Sequence, residues 1–468
     1  MHYHLIGICG TAMASLAGML QARGHKVTGS DQNVYPPMST QLEALGIEIF
    51  NGYQAANADV GADCVVVGNA ISRGNPELEE VLNRKLVYRS QAEIVQEEFI
   101  RGRRSLVVAG THGKTTTTSI ATWIAEMGGL DPSFLVGGVV QNFGASFRVT
   151  GSVYFVLEDD EYDTAYFDKG PKFLHYRART AILTSVEFDH ADIYRDMPHY
   201  ESAYEKFAAT LPDDGFLAVA ASYPNAVRIA QKSSRAYVAT YAAHGEADYT
   251  AEELAFGPDG AHFVVREPRG RTGRFLLPMS GHHNVENALG VYAAARALGL
   301  KADDVRAGFA SFAGVKRRQE IRGTVGDILV IDDFAHHPTA VRETIVAIRQ
   351  RYPDRRLWAV FEPRSNTSRR NIHQSEYASA FDGAALASIR VPEPHDKVPI
   401  DEQLDIGKVV DALHAKGIDA DASRDVDVIV RRIVSDARPG DVILVMSNGS
   451  FGGLIPSVLD GLRAKQAA

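Results

Sequence analysis

At 468 residues, 45% of them hydrophobic and 23% charged, the chain is too long for one core and has the composition of a globular protein of roughly two to four domains. The formal net charge of −9 argues against a nucleic-acid-binding surface, and no apolar run approaches the ~20 residues of a bilayer span. Two cysteines, Cys9 and Cys64, exclude a disulfide framework or a zinc–thiolate cluster, and the opening MHYHLIGICG lacks a secretory pattern, so a cytoplasmic location is expected.

The first hundred residues alternate strand and helix: strand 2–8, helix 12–23 ended by Gly24, strand 26–29, strand 60–67, helix 77–84. Such alternation predicts a parallel sheet with ligands at the carboxyl ends of its strands. The turn Gly7-Ile8-Cys9-Gly10-Thr11-Ala12 resembles a dinucleotide fingerprint in which cysteine and alanine replace glycines, and Asp31 stands where an acidic residue binds a ribose hydroxyl. One reading is a diphosphate at the turn and a ribose at Asp31; the other is a tight turn with a helix-capping Asp. Arg101, Arg103 and Arg104 predict a linker before the next strand.

Residues 105–119, SLVVAGTHGKTTTTS, organise the centre. An apolar strand ends at Gly110 and passes through Thr111-His112-Gly113 into Lys114, Thr115 and Thr116 and a helix reaching about Met127. Strand, glycine turn and Lys-Thr at a helix start form a phosphate-binding design: loop N–H groups face an anion, the lysine reaches the terminal phosphates, and the Thr115 hydroxyl can take Mg²⁺. Val108 holds the place of the motif's first glycine. Strands 153–157 and 181–186 run into Glu158-Asp159-Asp160-Glu161 and Glu187-Phe188-Asp189-His190, at the edge expected to carry the lysine turn. Glu158, the first residue expected beyond its strand, is a Mg²⁺ ligand candidate, and His190 could serve a second ion or orient a carboxylate.

Asn284 and Asn287 share one face of a helix over 281–298, which suggests hydrogen bonding to a purine edge, with a local cap as the alternative for Asn284. The basic run VKRRQEIR over 315–322 is by itself an ordinary solvated charge cluster. A third strand–helix region follows. Strands 328–331, 357–361 and 442–446 end in DDFAHHP, EPRSNT and SNGSFGG, again one furnished sheet edge.

Together, GTHGKTTT, LEDDEYD, EFDHAD, the HNVEN helix, Arg317-Arg318 and DDFAHHP resemble, in order and spacing, the Mur ligases, the ATP-dependent amide ligases of peptidoglycan synthesis. The resemblance covers essentially the whole chain. It implies three consecutive α/β domains: a Rossmann-like UDP-sugar domain over 1–103, a P-loop ATPase over 104–322, and a Rossmann-like domain over 323–468 that binds the incoming peptide and closes on ATP. Residue by residue, it implies that Lys114, within the loop of Gly110, Thr111, Gly113 and Thr116, holds the β- and γ-phosphates. Thr115 and Glu158 would hold one Mg²⁺ and His190 a second. Asn284 and Asn287 would meet the adenine, Arg318 and Asp333 the phosphates and ribose, and His336 the γ-phosphate. Gly10, Thr11, Asp31, Asn69, Ala70 and Ile71 would receive the uridine diphosphate. Two departures stand out: Ser185 replaces a common Asn, and Cys9 a glycine. Lys206 is a possible counterpart of a carbamylated lysine found in some relatives.

The motifs over 29–40, 161–169, 361–367 and 446–453 resemble most the members that join a murein tripeptide to UDP-N-acetylmuramate. The alternative within the family adds a single L-alanine; outside it, the alternative is a binding protein that has lost ligation. A tripeptide ends in carboxylates far from its reacting nitrogen, which calls for Arg and amide or hydroxyl groups, and Arg364, Ser365, Asn366 and Asn448 are the candidates.

Overall fold

The computed structural model describes all residues except 33, 35–37, 192, 394–397 and 468. Part of the 29–40 motif and the last residue of EFDHAD therefore lie outside the described residues. The chain forms two compact units, one from Met1–Phe188, Arg195–Thr250 and Leu289–Gly308, the other from Asp189–Tyr194, Ala251–Ala288 and Phe309–Ala468.

The first unit begins with a five-stranded parallel sheet in the order Glu48–Asn51, Lys26–Asp31, His2–Ile6, Cys64–Val67, Tyr88–Ser90. Apolar residues on both faces of the central strands, such as Leu5, Ile6, Val66 and Val67, are fully buried, as a sheet covered on both sides requires. The first strand stops at Ile6, two residues earlier than the sequence pattern implies, because Gly7 turns the chain with φ 85°. The helix Thr11–Ala22 then starts from Gly10. The expected linker is a short turn over 101–103, after the helical segment that closes at Ile100. Arg104 opens the next strand, and Arg103 is packed, donating from Nη1 to Ser133 Oγ at 2.7 Å and from Nη2 to the Thr150 carbonyl at 3.2 Å.

A second sheet of the same unit runs Tyr237–Ala242, Phe216–Ala220, Thr180–Leu183, Arg104–Ala109, Tyr154–Glu158, Ser133–Val140, Ala145–Arg148. All but the last pair are parallel. Its registers align the three strand ends that matter: Val108 pairs with Glu158, and Ala109 with Leu183. Glu158 is thus the last strand residue and not the first of the loop. The third strand ends at Leu183, which frees Thr184–Val186 to line the turn. The helix Lys114–Met127 opens with four threonines, poor helix formers that are all buried. Thr118, Ser119 and Thr122 satisfy their hydroxyls on carbonyls four residues back, at 2.7–2.8 Å.

The second unit holds the antiparallel pair Gly260–Glu267 and Gly270–Leu277 and a six-stranded sheet. That sheet runs Glu320–Val325, Ile328–Asp333, Asp441–Met446, Arg356–Phe361, Leu386–Arg390, Asp419–Ser423, parallel after its antiparallel first pair. Two apolar clusters cover its faces, one around Ile331, Val341, Phe361 and Leu413, the other around Trp358, Ile433, Ile443 and Val458. The ends of the strands that close on Asp333, Phe361, Arg390 and Met446 lie on one edge. Among the described residues no helix is long and apolar enough to cross a membrane, and both cysteines are free.

Candidate active site

In the first unit the candidate phosphate loop is held in a fixed shape. Gly110 has φ 134°, and a Cβ there would fall 2.2 Å from Thr184 Oγ1 and 2.8 Å from Ser185 N, so the loop crosses the neighbouring strand end at backbone contact. Gly110→Ala is expected to cost about 2 kcal/mol or more, read as a lowered Tm together with weakened ATP binding. Several bonds hold the loop to that strand end, among them Ser185 Oγ accepting from His112 N at 2.8 Å, Thr184 Oγ1 donating to the His112 carbonyl at 2.5 Å, Thr111 N donating to the Ser185 carbonyl at 3.1 Å and Glu187 N donating to Thr111 Oγ1 at 2.9 Å. Ser185, the departure from the family pattern, therefore has a loop-setting task. His112, which the sequence did not single out, contacts Glu187 Oε2 through Nε2 at 2.7 Å.

Thr115 Oγ1 donates to Glu158 Oε1 at 2.7 Å, and Glu158 Oε2 accepts from Gly137 N at 2.6 Å. A hydroxyl and a carboxylate at this separation beside a lysine are hard oxygen donors of the kind Mg²⁺ takes, and the fit is good. Lys114 Nζ lies 2.8 Å from Glu161 Oε2. Burial alone would depress the lysine pKa, but Glu161, with Asp160 and Glu158, raises it above its ordinary value. Lys206 is exposed on the helix Met197–Ala209, whereas on its buried face Tyr200 donates to Glu161 and the Tyr204 hydroxyl meets that of Tyr200.

At the first sheet, Gly10, Thr11, Asn69 and Ala70 are exposed at the strand ends, and Ile71 is buried with its side chain against Gly7. Asp31 serves the protein itself: Oδ2 accepts from Cys9 N at 2.9 Å, and its carbonyl accepts from Gly52 N at 2.8 Å. It braces the turn. Burial, followed by Asp31, pushes the Cys9 thiol up to about 11.

In the second unit, Asn284 Nδ2 donates to the Ser280 carbonyl at 2.8 Å, the local alternative, while the Asn287 amide has no hydrogen-bond partner among the described residues. Arg317 and Arg318 are half-buried: both guanidiniums lie over Phe334, at 5.2 and 4.9 Å, and Arg317 Nη2 donates to the Ser447 and Gly449 carbonyls. Asp333 is buried and accepts from Gln319 N and Ala335 N, both at 2.8 Å, so it shapes the loop that carries Arg318. Burial raises its pKa, against the pull of Arg318 and those N–H groups. His190 has φ 55°, and its ring lies 3.9 Å from Asp189. Burial pushes the Asp189 carboxyl up, but His190, His336 and His337 more than offset it and hold it well below the usual carboxylate range. His336 is fixed by Tyr377, whose hydroxyl donates to the His336 carbonyl at 2.6 Å.

At the far strand ends, Arg364 is exposed and packs so closely on Gly449 that a Cβ there would lie 1.6 Å from Nη1. Ser365 is spent on its own turn with Ser368, and Asn366 is exposed beside it. Asn448 presents a buried Oδ1 without a hydrogen-bond partner among the described residues. Arg369 and Arg390, missed in the sequence, join this edge. Arg390 pairs with Glu362 at 2.5 Å, and the other Glu362 oxygen accepts from Ser447 Oγ at 2.5 Å. Among the described residues neither Arg364 nor Arg369 has a carboxylate partner, and Arg369 Nε is buried without one.

Residues 2–102 match the description "Mur ligase family, catalytic domain", residues 108–295 "Mur ligase middle domain", and residues 317–449 "Mur ligase, glutamate ligase domain". The chain is 40% identical over 468 residues to the Haemophilus influenzae UDP-N-acetylmuramate–L-alanyl-γ-D-glutamyl-meso-2,6-diaminoheptandioate ligase, covering 99% of this chain and 100% of that one. It is 33% identical over 482 residues to a UDP-N-acetylmuramate–L-alanine ligase of Phenylobacterium zucineum, covering 99% and 97%. Its fold superposes on a crystal structure of a murein peptide ligase from Psychrobacter arcticus with TM-score 0.73 at 38% identity, over 99% of both chains. The chain belongs to the Mur ligase family.

Proposed function

We propose that the protein joins L-alanyl-γ-D-glutamyl-meso-diaminopimelate to the lactyl carboxylate of UDP-N-acetylmuramate, releasing ADP and phosphate. The observation that carries this choice is the pair of guanidiniums, Arg364 and Arg369, which among the described residues have no carboxylate partner, at the strand ends that also carry Asn448. A single alanine has one carboxylate to offer; the tripeptide has three. The 40% full-length identity to a tripeptide ligase, against 33% to an alanine ligase, supports the same reading.

We assign residues 1–103 to the UDP-sugar, 104–322 to ATP, and 323–468 to the peptide. A carboxylate does not acylate an amine at neutral pH, because oxide is too poor a leaving group. The lactyl carboxylate therefore takes the γ-phosphoryl group of ATP, and the peptide amine displaces phosphate from the resulting acyl phosphate. Lys114 and Arg318 neutralise charge on the group in transfer, where positioning and electrostatics carry most of the catalysis. Thr115 and Glu158 would hold a Mg²⁺, which would supply Lewis-acid charge toward the phosphates, and His190 is the candidate for a second ion. His336 and Asp333 serve the nucleotide from the third region, Asn287 the adenine, and the turn at Gly10 and Thr11 the uridine diphosphate. We assign the reaction to the cytoplasm, where ATP and the nucleotide sugar are at hand.

The test supplies ATP, Mg²⁺ and UDP-N-acetylmuramate with either the tripeptide or L-alanine. Tripeptide ligation with a kcat/KM at least about a hundredfold above alanine is expected. Preference for alanine overturns the assignment, and ATP binding without ligation of either amine favours a non-catalytic binder.

A further inference from the structure

The phosphate loop carries a second carboxylate for which the ligation chemistry has no task. Glu161 lies three residues past Glu158, with a side chain only 1% exposed. One oxygen contacts Lys114 Nζ at 2.8 Å, and the other accepts from the Tyr200 hydroxyl at 2.8 Å. Tyr200 is fully buried, and its hydroxyl is also 2.9 Å from Thr111 Oγ1 and 3.1 Å from the Tyr204 hydroxyl. An ionised carboxylate only accepts, so Tyr200 donates to Glu161, and its oxygen is left to receive a hydroxyl, from Thr111 at 2.9 Å, which also lies 3.0 Å from the Glu187 carbonyl, or from Tyr204. Glu161 thereby joins the lysine at one end of the loop to the threonine at the other, through a helix 39 residues downstream.

An ammonium has three donors. In Lys114 one is taken by Glu161, a second is directed at the Thr111 carbonyl 3.5 Å away, and a third remains for an incoming oxygen. A lysine on a four-carbon stem ordinarily loses much rotamer freedom when it binds a phosphate. Here that loss is met during folding. Glu161 is bound by the Lys114 ammonium and the Tyr200 hydroxyl, whereas Glu158 is bound by the Thr115 hydroxyl and Gly137 N, which separates the two roles.

We propose that Glu161 is a positioning residue for ATP: it fixes the Lys114 ammonium and, through Tyr200, the Thr111 turn before nucleotide arrives. The proposal rests on the reading of Lys114 as a phosphate ligand. Its test measures ATP binding and steady-state kinetics for wild type, Glu161→Gln, Glu161→Asp and Tyr200→Phe, with Tm as the control for folding. Glu161→Gln is expected to raise KM for ATP about tenfold or more while KM for UDP-N-acetylmuramate stays within about twofold. Tyr200→Phe raises KM for ATP about threefold, and Glu161→Asp recovers part of the loss. Equal rises for both substrates, or none for ATP, overturn the proposal. Failure of the wild type to bind ATP removes the phosphate reading itself and the proposal with it, and is seen without any variant.

Discussion

Lys114→Ala is expected to lower kcat/KM for ATP by at least about a thousandfold, because it deletes the lysine proposed to meet the charge that develops on the transferred phosphoryl group. The structure adds a cost to stability that the loop motif alone does not imply. Glu161, 1% exposed, would keep its charge without a cation, and breaking such a buried pair costs about 3 kcal/mol or more. The single variant is therefore expected to be both inactive and less stable. In Lys114→Ala/Glu161→Gln the stranded carboxylate becomes a neutral amide, so Tm recovers and activity does not. Urea unfolding and ATP turnover on wild type, both single variants and the double variant separate the two effects. Recovery of turnover in the double variant would remove the phosphate role from Lys114.

The strands that build the site were legible because each is a short apolar run closed by a polar cluster, and parallel pairing puts such ends on one edge. Val108, the residue that breaks the glycine pattern, sits fully buried in its strand and pairs with Glu158, so no glycine is needed at that position. Legibility fails where partners come from distant segments. Tyr200 meets Glu161 only because the helix Met197–Ala209 packs its buried face toward the loop, a relation that no local spacing announces. The same packing left Lys206 exposed on the other face. Asp31 and Asp333 show a different limit. Acidic residues at strand ends read as ligand contacts, and no spacing announces that their oxygens also accept backbone N–H groups and brace the turns that carry Gly10 and Arg318. Arg369 and Arg390 were passed over because an arginine in a polar loop is usually solvated, and only the register of Phe361 with Ile389 and Met446 brings the ends carrying them together.

That register leads to the last expected result: Arg369→Ala raises KM for the tripeptide by about ten- to a hundredfold and leaves KM for ATP unchanged. Burial lowers the Arg369 pKa, the guanidiniums of Arg364 and Arg390 lower it further, and Glu362 opposes them. Glu362 is already held by Arg390 and Ser447, so it offers little more to Arg369. Arg364 and Arg369 repel each other, and Glu362 offsets that only in part, so a carboxylate that bridges them relieves the repulsion. Removing Arg369 makes the empty edge easier to fold and the peptide harder to hold, so the variant should melt no lower than wild type. Arg369→Lys keeps the charge but not the two-pronged donor, and is expected to recover only part of the affinity. A tripeptide amidated at its diaminopimelate carboxylates should bind wild type as weakly as the natural peptide binds Arg369→Ala, and the variant should hardly distinguish the two. If the variant instead raises KM for ATP, the guanidinium belongs to the phosphates. If it spares both substrates, the edge formed by Arg364, Arg369 and Asn448 is not where the peptide carboxylates lie.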